Sequence, residues 1–332
     1  MRLIKDSEYY SIRKKSYSML ARFDRDGPMS LIKEFKETPA MLLGSLVDDM
    51  VTNASQVDSI YAISKHKTPT ASLLVLFDEI KKDFVKFAPK GVMNIDLVAE
   101  LAHELILWDS VKKPDVFVKK FNTSAFRGYI MEYFNNFGKR VVDQEMWNLA
   151  DKMAGALLND KVTGPLFKNE EGESIFQLSI LWGDKEQFKS RLDLVVLDHE
   201  NKLIRPFDLK TMGLPVEEFR SSFMNFRYYI QDAVYTDAVE EWRNETYPDY
   251  DIADIENIVI SSKEPDNPVL FKVNKDWVAA GKYGFFLGNY RKRGYLELAD
   301  EVDWHRSNKI YNKSREQVEK GFLSIDFNGR LE

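Results

Sequence analysis

Two aspartates, a lysine two residues beyond the second, and a glutamine and a tyrosine four residues apart are the side chains of this chain best suited to chemistry. Asp193 is followed, after fourteen residues, by Asp208-Leu209-Lys210, and Gln231 and Tyr235 lie downstream. Hydrolysis of a phosphodiester needs a nucleophilic water and stabilisation of charge on the phosphoryl and leaving oxygens, which one or two divalent ions can supply. Asp193 and Asp208 offer anionic oxygens to such a hard cation, and the Leu209 carbonyl between Asp208 and Lys210 is a further candidate ligand. Lys210 is suited to orient or deprotonate the water, or to neutralise the developing charge.

These residues need elements that bring them together. From Phe188 to Leu197 the chain alternates as a strand does, with Leu192, Leu194 and Val196 on one side and Arg191, Asp193 and Val195 on the other. Asp198-His199-Glu200-Asn201 are turn formers, and Leu203 to Lys210 is again extended, so the piece reads as a β-hairpin. Side chains two apart share a face, so Asp208 and Lys210 point the same way, and a turn centred near Glu200 sets Asp193 nearly opposite Asp208. Two like charges about 4 Å apart repel by roughly 4 kcal/mol at an effective dielectric near 20, and a divalent cation relieves that repulsion. Beyond the hairpin, Phe219, Phe223, Phe226, Ile230 and Val234 recur at helical spacing and predict a helix carrying Gln231 and Tyr235 on one face. That face is placed to brace the lysine or contact DNA. Arg227, one turn before Gln231, and Arg191, two residues before Asp193, are candidates for holding a phosphate.

Hairpin, spacing and trailing Gln231-x-x-x-Tyr235 helix together resemble the PD-(D/E)xK nuclease superfamily, and within it the RecE-like and lambda-exonuclease-like branch, of which Asp208-Leu209-Lys210-Thr211 is also typical. Gly44 to Asp48 is similar to that branch's first motif, a glycine-led helix that in many members carries a histidine reaching the metal. Here Asp48 stands at the histidine's position, and the departure leaves Asp48 and the adjacent Asp49 as alternative ligands. Gln177 falls where relatives often carry a glutamate, which suggests a residue that supports the ligands or positions water.

The resemblance implies an α/β, restriction-endonuclease-like fold: a central mixed sheet flanked by helices, with a largely helical N-terminal part. It also implies a Mg²⁺-dependent exodeoxyribonuclease, with Mn²⁺ able to substitute, that acts on double-stranded DNA ends. Such an enzyme resects from 5′ to 3′ and leaves single-stranded DNA for recombination, as in phages. A single-strand annealing protein is the expected partner and a homo-oligomer the expected assembly. An endonuclease of the same fold is the rival reading. The other is a non-catalytic DNA-binding or assembly protein whose acids are structural.

Composition sets the limits. At 332 residues and 44% apolar, the chain is long enough for a sizeable core. A net charge of −6 argues against a generally basic nucleic-acid coat, so any DNA contact must be local. The chain has no cysteine, which excludes disulfides, cysteine-bound zinc and iron–sulfur clusters. The N-terminal stretch lacks a signal-peptide core and no run is long enough to span a membrane, so a cytoplasmic enzyme is expected. Three segments are expected: 1–165, mostly helical and carrying the first metal motif; 166–300, the nuclease core; and 301–332, a tail.

Several stretches outside the motif add detail. Tyr9, Tyr10, Arg13, Lys14, Lys15 and Tyr17 mix aromatic and basic residues in a way that suits stacking a base and gripping phosphate, or a plain amphipathic helix. Lys119, Lys120, Arg127, Lys139 and Arg140, with Phe121, Phe126 and Tyr129, suit a DNA channel or a solvated face equally well. His103-Glu104 is not a zinc-protease motif, because Leu107 stands where the second histidine is required. Residues 174–182 read as the strand before the hairpin, 257–262 and 269–273 as short strands, and 276–300 as a closing helix burying Trp277, Phe285, Phe286 and Tyr290.

Overall fold

The structure, a computed structural model, describes residues 1–35, 37–65, 71–105, 115, 118–119 and 122–321. They fall into two compact units, one formed by residues 1–54 with the chain from 149 onward, the other by residues 55–148. The strands in chain order are β1 Arg2–Leu3, β2 Tyr61–Ile63, β3 Arg140–Val142, β4 Glu173–Trp182, β5 Phe188–Asp198, β6 Leu203–Met212, β7 Asp251–Ile252, β8 Glu256–Ser261, β9 Val269–Lys272, β10 Phe285–Leu287 and β11 Tyr290–Lys292.

The first unit is built on a seven-stranded mixed sheet in the order β1-β4-β5-β6-β8-β9, with β7 also paired to β6. From β1 to β6 neighbouring strands are antiparallel, β8 runs parallel to β6, and β9 returns antiparallel. A parallel neighbour needs a crossover, and here the helices Phe219–Asn225 and Tyr228–Thr246 supply it. The longer helix lies on β4, β5 and β6. It buries Tyr229, Ile230, Ala233, Val234, Ala238, Val239 and Trp242, in one cluster with Leu192, Val195 and Leu197 of β5 and Val259 of β8. Helices Tyr17–Asp26 and Tyr295–Asn308 add Leu20, Phe23, Leu298 and Val302 to the same core. Fully burying each such side chain stabilises the fold by roughly 1.5–3 kcal/mol before entropy is charged.

The hairpin expected from the alternation is present as β5 and β6, and the fold is the mixed α/β sheet flanked by helices. Two expectations are corrected. The helix predicted through Phe219 to Val234 is two helices, broken at Phe226 and Arg227, where Arg227 takes a left-handed conformation (φ 61°, ψ 39°). The closing helix over 276–300 is a short helix, Lys275–Tyr283, then the β10–β11 hairpin, then the Tyr295–Asn308 helix. Gly284 at φ +84° ends the first of these where a side chain would meet the Lys292 carbonyl at 2.6 Å. Phe286 and Tyr290 are consequently exposed, while Trp277 and Phe285 pack on Tyr229.

In the second unit, helices Ala71–Lys82, Ile95–Glu104 and Ser124–Asn135 enclose Phe77, Ile80, Val98 and Ile130, and β2 pairs in parallel with β3. Phe126 and Tyr129 pack against this core, and the neighbouring cations have partners of their own: Arg127 donates to Asn122, Lys139 to the Asp58 carbonyl and Arg140 to the Tyr61 hydroxyl. Lys120 and Phe121 lie outside the described residues, as does the chain beyond 321. No helix among the described residues is long and apolar enough to cross a membrane.

Candidate active site

Strand register decides which acids meet. The β5–β6 ladder pairs Asp198 with Leu203 through to Leu194 with Phe207. One further step sets Asp193 opposite Asp208, as the alternation predicts, and there the ladder stops. In its place the Asp193 carboxylate accepts the Leu209 N–H at 2.9 Å. The acid is thereby tied to the backbone of the strand that carries Asp208 and Lys210.

The Tyr228–Thr246 helix closes over this pair. Gln231 spans it: its Nε2 donates to Asp208 Oδ1 at 2.7 Å, and its Oε1 accepts from Lys210 Nζ at 2.7 Å. Lys210 also forms an ion pair with Asp208 and lies 4.5 Å from the centre of the Tyr228 ring. A carboxamide is the one neutral side chain able to donate to a carboxylate and accept from an ammonium at once. Tyr235, one turn on, is buried beside Gln231, as the four-residue spacing implies.

The Pro39–Thr52 helix delivers Asp48. Thr38 caps its first turn by accepting from Met41 N at 3.3 Å, with Pro39 in the first helical position. The helix packs on β5 and β6. Gly44 makes the approach feasible, because a Cβ there would stand 2.8 Å from Thr211 Oγ1. One turn further, Asp48 accepts from Gln177 Nε2 at 2.9 and 2.8 Å through its two oxygens, and Arg191 lies 3.6 Å away. Thr52 completes this group, taking a hydrogen bond from Gln177 at 3.2 Å. Gln177 adopts φ 53° in the middle of β4, and the β4–β5 ladder skips the Gln177 and Asp193 pair. A non-glycine residue held there is strained by about 1–3 kcal/mol and requires neighbours that fix it, here Asp48 and Thr52.

The electrostatics of the group follow from burial and mutual repulsion. Asp208 is 1% exposed; burial, opposed by Lys210 and reinforced by Asp193, pushes its carboxyl up to about 7. Burial raises Asp193 as well, against the pull of Lys210 and Arg191. Asp48 is raised well above the carboxylate range by burial and then by Asp193. For Lys210, burial works to lower the pKa, but Asp208, Tyr228 and Asp193 outweigh it and the net shift is upward, so the side chain is an ammonium. Asp208 Oδ2 faces Lys210 yet has no hydrogen bond, and Gln177 Oε1 is buried without one. Repelling carboxylates with an unsatisfied oxygen are a donor set suited to a hard divalent cation. As placed, no three acidic or histidine side chains among the described residues stand at ligand spacing, because Asp208 is held by Lys210 and Gln231.

Other placements were not legible in the sequence. Arg227 is outside the cluster; its guanidinium pairs with Asp24, which also holds Arg293. Behind the site, Asp232 is wholly buried and is pushed up to about 8 by burial and then by Asp208. Asn257 Nδ2 donates to its Oδ2 at 3.3 Å, while Asp232 Oδ1 and Asn257 Oδ1 lack partners. A proton on Asp232 supplies the missing donor, making a neutral acid–amide pair beside Asp208, which Asn257 neighbours across β6 and β8. The only hint was the Asp232 side chain beside Gln231 on an otherwise apolar helix face.

Comparison with protein families matches residues 27–283 to DUF3799, a PDDEXK-like domain of unknown function. The chain belongs to this family. The Asp193 and Asp208-Leu209-Lys210 residues of this PDDEXK-like domain carry the acid, acid and lysine of that name. Among solved structures it is similar to one described as a "Putative exonuclease" from Eubacterium rectale, at 12% identity and a TM-score of 0.50, covering 95% of this chain and 91% of the other. At that identity the likeness is one of fold. No curated protein matches the chain.

Proposed function

We infer that this PDDEXK-like domain is a metal-dependent exodeoxyribonuclease of the RecE-like and lambda-exonuclease-like kind, which resects linear duplex ends, from 5′ to 3′, to leave single strands for recombination. The observation that carries this reading is Gln231 bridging Asp208 and Lys210, with Asp193 opposite Asp208 and bonded to the Leu209 amide. Nucleases of this fold typically use a divalent metal. Asp193, Asp208 and the Leu209 carbonyl, with Asp48 from the neighbouring helix, are the groups that would hold it, and Mg²⁺, with Mn²⁺ as substitute, suits their oxygen donors. When bound, such an ion activates water and offsets charge on the phosphoryl oxygens. Lys210, held as an ammonium by Asp208 and Gln231, neutralises charge developing at the scissile phosphate. Gln177 and Thr52 fix the rotamer of Asp48, and Tyr235 backs Gln231. A single-strand annealing protein as partner and a homo-oligomeric assembly belong to this reading.

The test is incubation with end-labelled linear duplex, nicked circle, closed circle and single strand, each with Mg²⁺ and with chelator. Mg²⁺-dependent release of nucleotides from linear duplex alone is the expected result. Linearisation of closed circles would make the protein an endonuclease, and inertness on every substrate would leave the acids structural.

A further inference from the structure

The aromatic and basic stretch near the N-terminus is not absorbed by the site described above, yet it lies against it. The one-turn helix Asp6–Tyr9 packs on β4 and β5, and the chain after it is anchored along β5 by Lys189 N donating to the Lys15 carbonyl at 2.8 Å. Lys189 donates to the Tyr9 carbonyl at 2.8 Å and stands 4.3 Å from the centre of that ring. Tyr9 meets Tyr10 edge to face at 5.5 Å. The Arg191 guanidinium lies 5.4 Å from the Tyr10 ring and, at its other end, 3.6 Å from the Asp48 carboxylate. One guanidinium therefore separates a 72% exposed aromatic ring from the acidic site.

We propose that Tyr10, backed by Arg191, is a stacking platform for the nucleobase adjoining the scissile phosphate. The proposal rests on the nuclease reading and adds to it a base-binding subsite. A large ring that folding leaves in water gains by covering its open face, and every nucleobase presents a π-face to it irrespective of sequence. The cation against the other face is where attraction to the ring quadrupole holds it. Arg191 is thereby fixed between ring and Asp48, and Lys189 and Lys15 add the positive charge that a backbone running to this point requires. In a chain of net charge −6, this is local cationic surface at the edge of an acidic site.

The test is equilibrium binding of short duplexes by the full-length protein in chelator, where no cleavage intervenes. Each duplex carries either a normal nucleotide or an abasic one at successive positions from the end. Tyr10→Ala should weaken binding of intact duplex about 5- to 150-fold, and Tyr10→Phe should bind as wild type. At one position, removing the base should weaken wild-type binding by a similar factor yet leave Tyr10→Ala unaffected, and 2-aminopurine placed there should be quenched by wild type only. Tyr10→Leu, an apolar side chain of similar reach, separates stacking from simple contact and should resemble Ala. Wild-type affinity in Tyr10→Ala, or an equal loss on intact and abasic duplex at every position, would overturn the stacking role while leaving the nuclease reading intact. Failure of the wild type to bind or cut any duplex would sink both.

Discussion

The site should make the metal-free protein lose stability as pH rises. Asp208 is raised from an ordinary 3.8 to about 7, so between those values the folded state keeps a proton that the unfolded chain releases. By linkage, the stabilisation is fully present below about pH 4 and is lost as pH climbs through about 7. A shift of about 3 units is worth at most about 4 kcal/mol, and for a unit of this size each kcal/mol moves Tm by about 2–4 °C, giving a ceiling on the order of 10 °C. Asp193 and Asp48 shift in the same direction and titrate with Asp208 as one group, so their contributions do not simply add. A divalent cation bound to the ionised acids should reverse the loss, raising Tm more at pH 8 than at pH 5. The assay is thermal unfolding from pH 5 to 8 in chelator and in Mg²⁺, for wild type and Asp208→Asn. The variant should show a flatter pH slope and little response to Mg²⁺. Identical slopes in the two proteins, or an equal Mg²⁺ response, would refute the reasoning.

Lys210→Ala should lower turnover on duplex by about 10²- to 10³-fold, the scale of losing one preorganised charge contact, while DNA affinity measured in chelator stays within a few-fold; equal losses in both would make Lys210 a DNA grip. Asp48→Ala should lose most activity, Asp48→His should keep a measurable fraction shifted towards Mn²⁺, and Asp49→Ala should be nearly silent, since it is Asp48 that faces Gln177 and Arg191; initial rates in the two metals check all three, and the reverse pattern would put the ligand at Asp49. Gly44→Ala should cut activity about tenfold by pushing the Asp48 helix off Thr211 Oγ1, only 2.8 Å from the new methyl. The double variant Gly44→Ala/Thr211→Ala should recover much of it, and no recovery would place the fault elsewhere.

The parts of the site that were legible in the sequence rest on local periodicities. Strand alternation with a turn at Asp198 to Asn201 places Asp193, Asp208 and Lys210, and a four-residue helical step places Gln231 and Tyr235. What escaped depends on distant neighbours. Arg227 reads as a free phosphate ligand until Asp24, 203 residues away, is seen to pair with it. Asp232 meets Asn257 only because β8 crosses over to lie parallel beside β6, an arrangement no periodicity encodes. The left-handed Gln177 is invisible to alternation, which assigns it an ordinary strand position. The aromatic run at 276–300 suggested a helix because burial was inferred from residue type, whereas Gly284 turns the chain and exposes Phe286.

The most direct test of the account is release of acid-soluble nucleotides from linear duplex by wild type and by Asp208→Asn, in Mg²⁺ and in chelator. The substitution keeps the volume of a residue 1% exposed and removes only its charge, so a melting curve should confirm a folded variant. Wild type should release nucleotides in Mg²⁺ alone, and Asp208→Asn in neither condition. Wild-type release by the folded variant in Mg²⁺ would contradict the claim that Asp193, Asp208 and Lys210 form a metal-dependent phosphodiesterase site.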